Sequence, residues 1–336
     1  MFELGEPGTL AGALAGRLAD ETDRPLLHGT WFGSVDGHPV WISRGEFLNS
    51  TAVVAGRLAA AGLVAGDRVL VSGPSSIDLA VAHVGCLRLG LVVVPTNGAY
   101  RDAELSHVMA DCRPRAALVD HDGWGERLVA MDPDLVVAGT AVDLPDGGPP
   151  AALDRTSPDD PAIIGYTSGT TGRPKGAVLT QANLLAGARS VEVAWRWTEA
   201  DRLMLCLPLF HMHGLGVGLH TTLLVGGSAV LQSGFYPDAV LDGLAEHRCS
   251  MFFGVPTMYP RLAAYRRVVY RRGLTPFAAA SASLAGARLA RRPVAAGASA
   301  LERHGMTRSV LLAPPQLDGY RRSAAGRGGA LRSLGA

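Results

Sequence analysis

The chain predicts an α/β fold: two α/β subdomains with mostly parallel sheets. Three observations carry that expectation. Helix-like and strand-like segments alternate up to about residue 260, the strand-like segments are short apolar runs, and Gly, Pro or Asp punctuates the changes. Gly45–Leu63 has amphipathic helical spacing, with Phe47, Leu48, Val54 and Leu58 able to share a face. Arg68–Val71 reads as a buried strand ending at Gly73-Pro74, and Ser76 as the cap of a helix through Leu89. Val92–Val94 is the next strand before Pro95, Arg101–Asp111 a helix and Ala116–Val119 a strand. Residues 143–160, rich in Pro, Gly and Asp, mark a loop or subdomain boundary.

The alternation then resumes. Ala162–Ile164 is a strand entering a Gly/Thr loop, and Gln181–Ala194 is a helix. Leu203–Leu207 and Ala229–Leu231 are strands with a helix between them around 214–224. Pro237 opens another helix, where its missing N–H costs least. Met251–Val255 is a strand, followed by a helix from Pro256. The expected division is 1–160, 161–270 and a degenerate, partly disordered Arg/Ala-rich remnant, 271–336. Between Ala278 and Ala300, 11 of 23 residues are Ala, too few apolar anchors for a packed core.

Composition narrows the function classes. With 48% hydrophobic and 18% charged residues the chain suits a globular protein, and no apolar run nears the roughly 18 residues of a membrane span. Cys86, Cys112, Cys206 and Cys249 lie far apart with no CxxC pair, and the N-terminus lacks a signal-peptide pattern, so a reduced, cytoplasmic protein is expected. The net charge of +1 hides −11 in residues 1–250 and +12 in 251–336. No nucleic-acid motif surrounds the basic cluster Arg266-Arg267 and Arg271-Arg272, so a nucleic-acid partner is not expected. Lys175 is the sole lysine among 31 basic residues, which singles out a position where a compact point charge matters.

Lys175 lies in Tyr166-Thr-Ser-Gly-Thr-Thr-Gly-Arg-Pro-Lys-Gly176, on a strand exit. Glycines let backbone N–H groups approach an anion, the Ser and Thr hydroxyls add donors, and the lysine neutralises phosphate charge. It is not a Walker A loop, because Gly176 follows the lysine where Ser or Thr would stand.

This segment resembles the phosphate loop of the adenylate-forming superfamily, which includes acyl-CoA synthetases. Leu207-Pro-Leu-Phe-His-Met-His-Gly-Leu215, Phe252-Phe-Gly-Val-Pro-Thr-Met-Tyr259, Val92-Val-Val-Pro-Thr-Asn97 and Glu302-Arg-His-Gly-Met-Thr307 resemble further motifs of that superfamily. The malonyl-CoA synthetase branch fits best, through F-H-M-H-G-L and G-V-P-T-M-Y. The resemblance implies the N-terminal-domain fold of those enzymes. It also implies ATP, Mg²⁺ and CoA as cofactors and a small carboxylic acid, malonate or a short or medium fatty acid, as substrate. The implied reaction is adenylation of the acid to acyl-AMP with release of pyrophosphate, then thioester formation with CoA. Thr167, Ser168, Gly169, Thr170, Thr171, Gly172 and Lys175 would grip the phosphates, while His304, Gly305, Met306 and Thr307 would close over AMP. Lys175 and Thr307 are the implied catalytic residues. His211, Gly254, Val255 and Pro256 would line the acyl pocket, and His213 is either a site residue or a structural one.

Two departures stand out. Arg308 occupies the position where the family carries a Glu that binds Mg²⁺, and a cation there repels the metal, so no metal ligand is assigned. The adenine-contacting segment is at best Ala280-Ser281-Ala282-Ser283, and residues 309–336 hold none of the family's ribose-binding Asp, hinge or lysine-bearing C-terminal domain. The expectation is therefore a chain stopping short of that domain, with turnover impaired. The alternatives are a working half complemented by a partner, or a non-catalytic ATP- or polyanion-binding protein.

Overall fold

Local capping chemistry and apolar stripes decide where most helices begin and which face they bury. The computed structural model describes residues 8–32, 34, 38–148, 153–167, 174–271, 298–303 and 306–311. The first elements are α1 (Leu10–Ala19), β1 (Pro25–Gly29), β2 (Val40–Ser43), α2 (Arg44–Ala60), β3 (Arg68–Ser72) and α3 (Ile77–Leu89). Then come β4 (Val92–Pro95), α4 (Asp102–Cys112), β5 (Ala116–Val119), α5 (Trp124–Met131), β6 (Val136–Ala138), β7 (Pro161–Thr167) and β8 (Lys175–Thr180). α6 (Gln181–Trp195) and β9 (Arg202–Leu205) precede a π-helix, His213–His220, which runs into α7 (Thr221–Val225) and β10 (Ser228–Leu231). α8 (Pro237–Glu246), β11 (Met251–Gly254), α9 (Met258–Arg271), β12 (Ala298–Arg303) and β13 (Met306–Leu311) complete the order.

The chain groups into two units, one of residues 1–200 with 207–234, the other of 201–206 with 235–336. In the first unit, six strands pair in the order β6-β5-β3-β4-β7-β8, parallel except for β8, which runs antiparallel to β7. The central strands β3, β4 and β5 are apolar runs buried on both faces, as a parallel sheet under helices requires. β1 pairs in parallel with β10 and antiparallel with β2.

Caps explain the boundaries. Ser43 and Glu46 form a reciprocal capping box at α2, whose buried stripe includes Phe47, Val54 and Leu58; Leu48 is half-buried. Ser76 Oγ accepts the Leu79 N–H at 3.1 Å, and α3 ends at Gly90, whose φ of +83° suits glycine. On α4 the buried residues Leu105, Val108, Met109 and Cys112 recur at helical spacing and pack into one core with Leu70, Val94 and Val119.

The structure differs from the sequence expectation at one place. Residues 175–180, which no local periodicity assigns to an element, form a strand antiparallel to β7 and at the edge of the sheet among the described residues. The described residues of 143–160 form a loop, as the Pro, Gly and Asp content predicts, and ion pairs tie it to helices: Arg88 pairs with Asp154 at 2.8 Å and Arg57 with Asp146 at 2.6 Å. β7 pairs in parallel with β4 through Val93 and Ile163. Two buried apolar residues, 70 positions apart, made that pairing invisible to local periodicity.

In the second unit β9 and β11 are parallel, while β13 runs antiparallel to both β11 and β12. The expectations for residues 272–297 and 312–336 lie outside the described residues.

Candidate functional site

The phosphate-loop motif is mounted on the β7–β8 hairpin. Cross-strand register places Thr167 opposite Lys175 and Tyr166 opposite Gly176, so the lone lysine stands across from the first threonine of the motif. Lys175 is exposed. Ser168, Gly169, Thr170, Thr171 and Gly172 lie outside the described residues. The stems are braced by α4: His107 Nε2 lies 2.8 Å from the Pro174 carbonyl, and the Tyr166 hydroxyl donates to Asp111 Oδ2 at 2.6 Å. Burial and the Asp111 carboxylate push the Tyr166 phenol well above its ordinary pKa, so it remains a donor.

Gly176 has a local reason to be glycine. A Cβ there would lie 2.8 Å from Ile164 Cγ2 and 3.3 Å from Tyr166 Cζ, so the Ile164 methyl first, and then the Tyr166 ring, would have to give way to a side chain. The sequence treats this glycine with the anion-approaching ones; the structure gives it a packing role in the stem.

The Leu207–Leu215 motif leads into the π-helix. Gly214 backs onto main chain, since a Cβ would come within 2.4 Å of the Pro208 carbonyl oxygen. Leu209, Phe210 and Leu215 wall a cavity of about 10 Å³, roughly one water, with Ser72 and Pro95 at the carboxyl ends of β3 and β4 and His83 of α3. His211 is exposed beside the Phe210 ring (centroids 4.4 Å apart), outside that wall, and partial burial lowers its pKa. His213 is half-buried, and desolvation lowers its pKa too.

The second unit joins two motifs 50 residues apart. Gly254 of β11 faces Thr307 of β13, and Phe253 faces Arg308. Gly254 is buried, its N–H donating to the Tyr259 hydroxyl at 3.2 Å, and a Cβ there would crowd the Phe252 ring at 3.0 Å. Val255 is half-buried and Pro256 exposed. Met306 and Thr307 begin β13, whereas His304 and Gly305 lie outside the described residues. Among the described residues no group of three or more His, Cys, Asp or Glu could hold a metal ion.

His107 and Asp111 carry no motif and were read only as part of a helix. Their i, i+4 spacing puts them on one side of α4, but nothing local says what that side meets.

A mostly parallel α/β sheet whose edge hairpin carries a Gly/Thr/Lys loop is the architecture of adenylate-forming N-terminal domains. The chain belongs to the AMP-binding enzyme family, whose model matches residues 17–319. It is 37% identical over 227 residues to a feruloyl-CoA synthase of Amycolatopsis sp, covering 66% of this chain and 45% of that protein. A sulfoacetate–CoA ligase of Cupriavidus necator is 35% identical, over 74% of this chain and 50% of that protein. Among solved structures, apo MatB from Rhodopseudomonas palustris superposes with a TM-score of 0.65 at 32% identity, over 75% of this chain and 51% of that one. The chain thus spans about half the length of the curated relatives it matches.

Proposed function

We propose that this chain binds the phosphates of ATP on the β7–β8 hairpin and serves AMP-forming activation of a small carboxylic acid for transfer to CoA. The observation that carries the reading is the register placing Lys175 opposite Thr167 at the mouth of the motif. Thr167, Ser168, Gly169, Thr170, Thr171, Gly172 and Lys175 would hold the phosphates, since hydroxyls and backbone N–H groups donate while the ammonium offsets charge. Thr307 would contact the α-phosphate, with His304, Gly305 and Met306 beside it. His211, Gly254, Val255 and Pro256 would border the acid. Bound Mg²⁺ would neutralise phosphate charge, yet Arg308 offers it no oxygen ligand.

Malonate is the first candidate acid, on F-H-M-H-G-L and G-V-P-T-M-Y, and a short or medium fatty acid the second. Feruloyl and sulfoacetate groups belong to the names of the relatives above. No helix among the described residues is long and apolar enough to cross a membrane, and a cytoplasmic location is part of this proposal.

The test is calorimetric titration of MgATP and of inorganic pyrophosphate into the 336-residue chain, followed by a pyrophosphate-release screen across malonate, octanoate, ferulate and sulfoacetate. Saturable binding of both phosphates supports the reading. Binding of neither sinks it, and binding without acid-dependent pyrophosphate release confines the chain to nucleotide binding.

A further inference from the structure

We propose that α4 is the positioning element of the phosphate loop: His107 and Asp111, one helical turn apart, hold its two stems and set how Thr167 and Lys175 face a polyphosphate. The inference deepens the proposed nucleotide site and rests on that reading.

Each stem is held at a separate point. On the outgoing side Pro174 has no N–H, so its carbonyl is its only backbone hydrogen-bonding group. That carbonyl can only accept, so His107 Nε2 carries the proton and donates across 2.8 Å. On the incoming side the Tyr166 hydroxyl donates to the Asp111 carboxylate at 2.6 Å, a charge-assisted bond. The two grips are linked: the His107 and Tyr166 rings meet edge-on at 6.4 Å, and Tyr166 lies across from Gly176.

α4 is a firm anchor for this purpose. Leu105, Val108, Met109 and Cys112 bury its inner face in the same core that Ile164 and Tyr166 pack against. The hairpin needs such an anchor, because among the described residues β8 pairs on one side only and its residues 175–178 are exposed. An edge strand with few packed side chains has a weakly specified end. Two bonds from a buried helix fix it at the hairpin mouth, which is the preorganisation that anion binding rewards.

His107 is half-buried and Asp111 exposed, so the grips can be removed without opening the core. The experiment follows amide hydrogen exchange at residues 165–167 and 175–177, together with pyrophosphate affinity, in the full chain carrying His107→Ala, His107→Gln, Tyr166→Phe or Asp111→Asn. His107→Ala and Tyr166→Phe should each speed stem exchange about tenfold and weaken pyrophosphate about tenfold, with melting shifted by no more than about 4 °C. His107→Gln, which keeps an amide donor near the Nε2 position, should recover both readouts; a purely steric role for the ring would show no such rescue. Asp111→Asn should give a smaller change, because the acceptor stays but its charge is lost. Unchanged stem exchange in His107→Ala and Tyr166→Phe overturns the proposal. So does faster exchange with pyrophosphate affinity intact while Lys175→Ala abolishes it. If Lys175→Ala also leaves affinity intact, the phosphate reading fails; stem exchange restored by His107→Gln would still uphold α4 as the brace of the hairpin.

Discussion

At the scale of single residues, Lys175 and two glycines show how differently a motif letter can be occupied. Lys175 is the one lysine, exposed at the start of β8. Removing a charge-assisted contact to phosphate costs about 1.5–3 kcal/mol, or roughly ten- to a hundredfold in affinity. Lys175→Ala should therefore weaken MgATP by that factor in a calorimetric titration, with the melting temperature unchanged. Gly176 and Gly214 are glycines for packing, against different neighbours. A Cβ at 176 meets the Ile164 and Tyr166 side chains, which can yield, whereas one at 214 meets the Pro208 carbonyl at 2.4 Å, which is main chain. Gly214→Ala should consequently destabilise more than Gly176→Ala, by about 2–3 kcal/mol against about 1 kcal/mol, measured by urea unfolding.

Between elements, the most consequential contact joins α3 to the π-helix. His83 and His220 are buried with their Nε2 atoms 2.8 Å apart and rings stacked at 5.0 Å, so one imidazole donates and the other accepts. Desolvation lowers both pKa values, and at His83 a charge on His220 lowers it further. Because the folded-state pKa values are depressed, the unfolded chain binds protons that the folded chain refuses as pH falls below the ordinary value of about 6.5. The stability these neutral rings contribute is fully present above that pH and drains away below it, at up to about 1.4 kcal/mol per pH unit per histidine. The urea midpoint should thus drop between pH 7 and pH 5, and His83→Leu/His220→Leu should flatten that drop. An equally steep decline in the double variant would place the acid sensitivity elsewhere. The pair matters beyond stability, since the π-helix that ends at His220 begins at His213 of the Leu207–Leu215 motif.

For the whole molecule, a ligand that binds only the folded chain must raise its stability by mass action. MgATP at about one hundred times its Kd should add about 2.7 kcal/mol and raise the melting temperature, a gain that Lys175→Ala should cut to about 0.4–1.4 kcal/mol at the same nucleotide concentration. Equal shifts in the two proteins would place the nucleotide away from the hairpin.

Much of this was legible in the chain. The apolar runs of β3, β4, β5, β10 and β11, the cap Ser76 and the first-turn proline Pro237 are local signals, because burial on both faces and orphan N–H groups impose them within a few residues. The phosphate-loop and Gly254 motifs were equally visible, since a chemistry that needs several residue types in sequence leaves them adjacent. What the sequence by itself determined is therefore the alternating α/β pattern and the composition of the loop. Only the tertiary structure decided that 175–180 pairs with β7, that β7 joins β4, that Gly254 faces Thr307, and that His107 and Asp111 meet Pro174 and Tyr166. Those are pairings between residues tens of positions apart. Their energy comes from surfaces meeting across the fold, and no periodicity of 2 or 3.6 residues encodes which surface that will be.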